Sequence, residues 1–302
     1  MKVGTRLIAA LLAGGLAGPL AAAEPINPSA LYPEGPLWLD GALYYAEMTA
    51  DRVTRWDGTE NHTFWRGEGC GPTSIAPLTA DRLLVLCHIS AELVILDRDG
   101  QALQVIDRDD SGRRLTSPND VIADGRGGAY FSEAGVFWRE APATGRVYYL
   151  NAAGSLQTVA AGLHYANGLV LDRAGARLFF SEHLARKVWL FPVEPNGSLA
   201  PGRPFFDLGQ VAEPPRHRDA HAGPDGLDLD RAGNLYICEY GAGRVLLVGP
   251  DGRLRGTLQV PLPYLTNIAL APDEGELFLT AAKTNRARPF PGAVFRVENP
   301  LK

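Results

Sequence analysis

Short runs of alternating apolar and polar residues recur along this chain, each bounded by Gly, Pro, Asn or Asp. Residues 223–252 show the pattern in full. Residues 227–230 alternate with the period of a half-buried strand, and residues 231–234 form a turn. Residues 235–240 and 244–248 read as further strands, separated by the turn at 241–243 and ended by the turn at 249–252. The same unit begins again at Glu34, Thr73, Asn119, Asn167, Asp225 and Thr266, at spacings of 39, 46, 48, 58 and 41 residues. A period of about 40–50 residues built from short strands predicts a β-propeller. Six copies predict an all-β, six-bladed propeller with four-stranded antiparallel blades. The longest interval carries an insertion around residues 202–223, and its Pro/Arg/His-rich piece, residues 213–221, reads as a surface loop. The last copy stops after its third strand. An open ring would leave an unpaired edge, so residues 26–32 are expected to supply the outer strand of that blade.

The opening position of each unit changes the picture from fold to chemistry. It holds Glu34, Thr73, Asn119, Asn167, Asp225 and Thr266, all with a side-chain oxygen. In a propeller the first strand of each blade lines the central channel, so these side chains should converge on one axis. Polar residues before strands are ordinary turn formers. That accounts for any one of them, and poorly for two carboxylates and two amides at one repeat position. Glu34, Asn119, Asn167 and Asp225 form a set of hard oxygen donors, which suits Ca2+, Mg2+ or Mn2+ better than a tetrahedral zinc site. At the ends of the second strands, Glu47, His88, Glu133, Glu182, His183 and Glu239 are expected to rim the channel or to lie in solvated loops. His88 and His183 are the candidates for proton transfer or substrate contact. Phe137 and Trp138 are candidates for a pocket wall or lid. The other tryptophans read as packing between blades. His217 and His221 have an HxxxH spacing but no helical pattern around them and no intervening Glu, so they do not form a zinc motif.

Composition sets the address and the partners. The chain has 302 residues, 46% of them hydrophobic, enough for one sizeable core. Residues 1–23 have a basic start at Lys2 and Arg6, an apolar stretch from 7 to 20 and small residues at 21–23, the pattern of a secretory signal peptide. The single folded domain is then 24–302, and the protein is expected to be exported, periplasmic or secreted, with no membrane attachment after cleavage. Removing two basic and no acidic residues takes the formal charge from −5 to −7. A mildly acidic exported protein is a poor nucleic-acid binder, so the expected partner is a small-molecule substrate. Three cysteines remain. Cys70 and Cys87 fall near the same end of one unit and can pair in an oxidising compartment. All three are equally readable as small buried apolar side chains. No G-x-S-x-G elbow occurs, which disfavours a serine hydrolase.

The segments Glu34-Gly-Pro-Leu-Trp, Ser117-Pro-Asn-Asp-Val, Ala166-Asn-Gly-Leu and Pro224-Asp-Gly-Leu resemble the signature segments of the regucalcin/gluconolactonase/lactonase family, the senescence-marker-protein-like six-bladed propellers. The resemblance covers the chain from Glu34 to Val297. It implies a divalent cation, Ca2+ foremost, with Mg2+, Mn2+ or Zn2+ as alternatives, at Glu34, Asn119, Asn167 and Asp225. It implies hydrolysis of a lactone or related ester. With a cation polarising the carbonyl, Asp225 is the expected general base, or the general-acid partner as the ring opens, and Glu34 is expected to stay a ligand only. Asn119, Thr73, His88, His183 and Thr266 become the candidate substrate contacts, Asn119 serving the metal, the substrate or a water. Thr73 departs from members with Asn at that position. The basic and polar contacts of sugar-lactone enzymes are not evident in the chain. Two other readings stay open. One is a propeller that binds calcium or a ligand without turnover. The other is a strictosidine-synthase-like condensing enzyme, which would lack the metal ligands found here.

Overall fold

In a computed structural model, which describes residues 22–302, the expected strands form and assemble into six four-stranded antiparallel sheets. The segment read as a signal peptide, apart from Ala22 and Ala23, lies outside the described residues. Five sheets keep their strands in sequence order from the inside out, as a blade does, and the sixth takes its outermost strand from the start of the domain. The innermost strands are Pro33–Leu39, Pro72–Pro77, Pro118–Ala123, Ala166–Leu171, Gly223–Leu229 and Tyr264–Leu270. Each packs against the innermost strand of the next blade, and the sixth returns to the first, so the ring closes around a channel. Among the described residues no helix is long and apolar enough to cross a membrane.

Closure uses the start of the domain, with the strand beginning two residues earlier than the sequence suggests. Glu24–Asn27 pairs antiparallel with Gly292–Glu298 and completes the sixth blade. The strand ends at Asn27 because the Asn27 Oδ1 accepts from the Ser29 N–H at 3.1 Å, an Asx turn that bends the chain before Pro28 can extend it. Leu31 then adds a single bridge to Pro291. Pro25 is tolerated because the strand lies at a sheet edge, where one row of N–H groups has no partner to bond.

The insertion is shorter than the spacing implies. Residues 203–207 are the ordinary fourth strand of the fourth blade, and the extra length is the loop after it. Apolar residues of facing sheets fill six clusters, one at each blade interface. Trp38 stacks on Phe278 at 5.1 Å, locking the first blade to the last. Outer strands such as Ala102–Ile106 alternate poorly and stay exposed, so burial energy is concentrated in the inner three strands of each blade.

Candidate active site

All six opening residues sit at or beside a break in the pairing of the first two strands. The register shifts occur between Glu34 and Leu37, Pro72 and Ser74, Pro118 and Val121, Ala166 and Leu169, Pro224 and Leu227, and Leu265 and Asn267. Such a bulge re-aims side chains out of the regular alternation. Glu34, Thr73, Asn119, Asn167 and Asp225 consequently line the floor of one cavity of about 220 Å3. All five are buried. Glycine follows three of them and lets adjacent strands approach. A Cβ on Gly168 would lie 2.3 Å from the Asp225 carbonyl oxygen, and one on Gly226 would lie 2.1 Å from Asn267 Oδ1.

Beneath the floor, where the other blades carry Ser74, Asp120 and Asn267 instead of glycine, a second polar layer fills the channel. Asp120 accepts from Ser74 Oγ at 3.0 Å, from the Leu169 N–H at 3.0 Å and from its neighbour Val121 N–H at 3.0 Å. Burial still pushes its carboxyl up to about 6. The sequence reading passed over Asp120, although the position one residue after the ring was visible as three glycines and three polar residues.

The floor is short of positive charge. Burial, then Asp225, then Asp120 push the Glu34 carboxyl well above the usual carboxylate range. Burial and Asp120 do the same to Asp225, opposed by a hydrogen bond from the Asn167 side chain. Among the described residues no Lys or Arg lines the cavity. Two buried carboxyls without a cation partner, flanked by two amide oxygens, form a donor set suited to a hard divalent cation. Among the described residues no cluster of three or more His, Cys, Asp or Glu has metal-binding geometry. Half of this candidate set comes from asparagine.

Thr266 is not on the cavity wall. Its hydroxyl donates to the Pro33 carbonyl at 2.7 Å and faces the Thr280 hydroxyl at 2.8 Å, joining the sixth blade to the residue before Glu34. Thr73 does line the cavity, with its hydroxyl 3.4 Å from the Pro118 carbonyl. His88 and His183 also line it. The His88 Nδ1 lies 3.0 Å from the Pro118 carbonyl, which only accepts, so Nδ1 carries the proton and Nε2 is the free acceptor. The His183 Nε2 likewise donates to the His221 carbonyl at 2.8 Å, and its buried Nδ1 has no partner. Burial lowers His183 to about 4 and lowers His88 in the same direction.

The glutamates at the ends of the second strands do not line the cavity. They are clamps on the loop that leads into each first strand. Glu47 accepts from the Leu31 N–H at 3.0 Å, Glu133 from the Thr116 hydroxyl at 2.6 Å, and Glu182 from the His164 N–H at 2.8 Å. Leu31, Thr116 and His164 each precede a floor residue by three positions. In the fifth blade Arg186 intervenes. It donates to Glu239 Oε1 at 3.2 Å and to the Ala222 carbonyl at 2.6 Å, and Ala222 lies three residues before Asp225. In the second blade the same two positions are Cys70 and Cys87, and they are joined by a disulfide with Cα atoms 4.6 Å apart. Cys238 is a buried free thiol.

The wall comes from loops and strand ends. Tyr165 precedes the fourth blade, Tyr240 ends a second strand, and Asn285 and Phe290 belong to the last long loop. Phe137 packs edge-on against Tyr165 at 4.7 Å and against His183 at 5.3 Å. Trp138 lies outside the cavity and packs on His221 at 5.7 Å.

A six-bladed propeller with an oxygen-lined, carboxylate-bearing cavity at one end of its channel defines a class of proteins. Residues 32–283 match the family described as SMP-30/Gluconolactonase/LRE-like region, and the chain belongs to that family. Among curated proteins it is 29% identical to a pentonolactonase of Haloferax volcanii, over 82% of this chain and 81% of the relative. It is also 29% identical to an L-arabinolactonase of Azospirillum brasilense, over 83% of this chain and 80% of the relative. Among solved structures, a gluconolactonase from Xanthomonas campestris superposes with a TM-score of 0.73 at 24% identity, covering 95% of this chain and 99% of the other. Regucalcin from Agrobacterium tumefaciens, described as a calcium-binding protein, gives 0.72 at 16% identity, covering 92% and 93%. These two likenesses establish the fold.

Proposed function

We propose that this protein is a metal-dependent hydrolase of a lactone or related ester, with Glu34, Asn119, Asn167 and Asp225 holding a divalent cation, Ca2+ foremost. The observation that carries the reading is the convergence of two buried, mutually repelling carboxyls and two amides on one cavity floor that no Lys or Arg side chain lines. The names of the 29% identical relatives support lactones as the substrate class. When bound, such a cation favours the ionised form of both carboxyls, polarises an acyl carbonyl and lowers the pKa of the attacking water.

The chain's own groups divide the remaining work. Asp225, oriented by the Asn167 side chain, takes the proton from the water as its oxygen adds to the acyl carbon. The acyl carbon–oxygen bond of the ring then breaks, and the proton passes to the alkoxide that leaves. The product is a hydroxy acid, with atoms and charge in balance. Glu34 and Asn119 hold the cation and fix the floor. The backbone bulges keep these side chains in place before substrate arrives, so little reorganisation is left for the reaction step. Export is part of the proposal, supported by the leader composition and by a disulfide that suits an oxidising compartment.

Asp225→Asn tests the assignment of the base. The amide keeps an oxygen for the cation and loses the proton acceptor, so kcat is expected to fall by about 10^2–10^4 with cation binding retained. Steady-state kinetics on a lactone panel, with and without chelator, measures this. Full turnover by Asp225→Asn removes the base assignment. Tight cation binding with no turnover on lactones, aryl esters or organophosphates replaces the hydrolase reading with the calcium-binding one.

A further inference from the structure

We propose that the site takes a compact, uncharged lactone or ester with an aryl or alkyl face, and discriminates against polyhydroxylated or anionic sugar lactones. The proposal rests on the hydrolase reading for the floor and is carried by the wall.

The cavity, at about 220 Å3, lies below the range of about 300–1,000 Å3 usual for drug-sized ligands. One or two fused rings fill it. On one side Phe137 stands edge-on to Tyr165 at 4.7 Å, and farther round it meets Tyr240 at 6.5 Å. On the other side Tyr32 and Phe290 pack edge-on at 5.5 Å. The Tyr32 and Tyr240 hydroxyls lie 3.4 Å apart, so the two rings form one collar whose polar ends face each other. An aryl group in such a collar gains edge-to-face contacts in addition to area burial.

A sugar lactone meets the opposite conditions. Each hydroxyl carried into the cavity needs a partner, and one left without a partner costs about 1–3 kcal/mol. One nitrogen of each wall histidine is already committed to the backbone. His183 Nε2 is bonded to the His221 carbonyl and His88 Nδ1 faces the Pro118 carbonyl at 3.0 Å. His88 Nε2, the unpartnered His183 Nδ1 and Asn285 are the polar groups left above the floor, apart from the tyrosine hydroxyls, and they are few against the hydroxyls of a sugar lactone. An anionic substituent fares worse. Arg216, Arg218, Lys283 and Arg286 line a separate depression between the fifth and sixth blades. Arg139, next to the Phe137 loop, is turned away, donating to the Leu184 and Ala220 carbonyls at 3.2 Å each.

Phe137 is the specificity-determining residue of this arrangement. It is 37% exposed and stands on a loop, so truncating it does not open a core, and circular dichroism of Phe137→Ala checks that the propeller stays folded. The experiment compares kcat/KM of the mature protein for dihydrocoumarin, gluconolactone and a phosphorylated gluconolactone with Ca2+ present. A second arm measures binding of dihydroquinolinone, the unhydrolysed lactam of dihydrocoumarin, against gluconolactam by calorimetry. The expected result is a preference of about tenfold or more for the aryl compound in both arms. Phe137→Ala is expected to erase most of that preference by weakening the aryl ligand alone. Equal or better turnover or binding of either sugar compound overturns the proposal, as does failure of every lactam to bind. If the aryl lactam binds with the expected preference but no lactone is hydrolysed, the substrate class stands and the hydrolase reading falls.

Discussion

The second and fourth blades close the same joint with different chemistry. In both, the residue at the end of the second strand is tied to the residue three places before a floor position, and a histidine follows the tie. In the fourth blade the tie is a hydrogen bond from the His164 N–H to Glu182, and His183 follows. In the second blade it is the Cys70–Cys87 disulfide, and His88 follows. The strand register is the same in both, with Ala166 opposite Glu182 and Pro72 opposite Cys87. What the propeller needs at this position is therefore a geometric constraint on the loop into the floor. A carboxylate and a covalent bond both satisfy it. The carboxylate also costs desolvation and is stable only while its donors stay in place, whereas the disulfide constrains the unfolded chain as well.

The largest expected effect comes from breaking the carboxylate version. Glu182 is buried and also accepts from Trp189 Nε1 at 2.8 Å. Glu182→Ala leaves two part-buried N–H groups without acceptors, at about 1–3 kcal/mol each, and empties a buried side-chain site, so a loss of about 4 kcal/mol is expected in urea unfolding. A purely structural role stops there. If the clamp also sets the floor, calorimetry on the folded variant shows weaker cation binding, because Asn167 sits three residues beyond His164. Unchanged cation affinity limits Glu182 to stability.

Removing the covalent tie comes next. Cys70→Thr with Cys87→Ala opens a loop of sequence separation 17, for which the chain-entropy argument gives about 3 kcal/mol. The comparison sharpens with a transplant. Cys70→Thr with Cys87→Glu rebuilds in the second blade the Thr116–Glu133 pair of the third, where the hydroxyl donates to the carboxylate at 2.6 Å. The transplant is expected to recover about 1 kcal/mol of the loss. No recovery shows that the two joints are not interchangeable and that the second blade needs the covalent constraint.

The repeat explains which parts of this were legible in the sequence. The floor was readable because one side chain recurs at one position of every unit, and Glu34, Asn119, Asn167 and Asp225 stand out there. The clamps were at an equally regular position, yet Glu47, Glu133, Glu182 and Glu239 read as channel-rim residues. A carboxylate at a strand end has no visible direction until its N–H donors are known, and those donors lie in loops with no periodicity. Cys70 and Cys87 were readable as a pair, but not as the same device as the glutamates. The wall was least legible. Tyr32, Tyr165, Tyr240 and Phe290 come from loops or strand ends of different lengths, so no spacing relates them. The closing strand was placed a few residues late because the Asx turn at Asn27 depends on one side-chain bond.

The two histidines offer a smaller effect than loss of either tie, and the most selective one. His183 is 1% exposed and burial lowers it to about 4, from an ordinary value near 6.5. The folded state thus keeps it neutral where the unfolded state takes up a proton. Its contribution to stability is fully present above about pH 6.5 and is lost as pH falls from there toward 4. Between pH 7 and pH 5 this linkage amounts to about 2 kcal/mol. His183→Gln keeps a donor for the His221 carbonyl and does not titrate, so the difference between native and variant unfolding free energies should shrink by that amount over this interval. His88 is less buried and shifts in the same direction, so His88→Gln should flatten the profile less. Equal slopes for the two variants would place His183 and His88 in equivalent surroundings and remove the asymmetry between the covalent and carboxylate joints. A steeper dependence lost with His183 alone ties that asymmetry to the Phe137 side of the cavity, where His183 is enclosed by Phe137, Tyr165 and Tyr240.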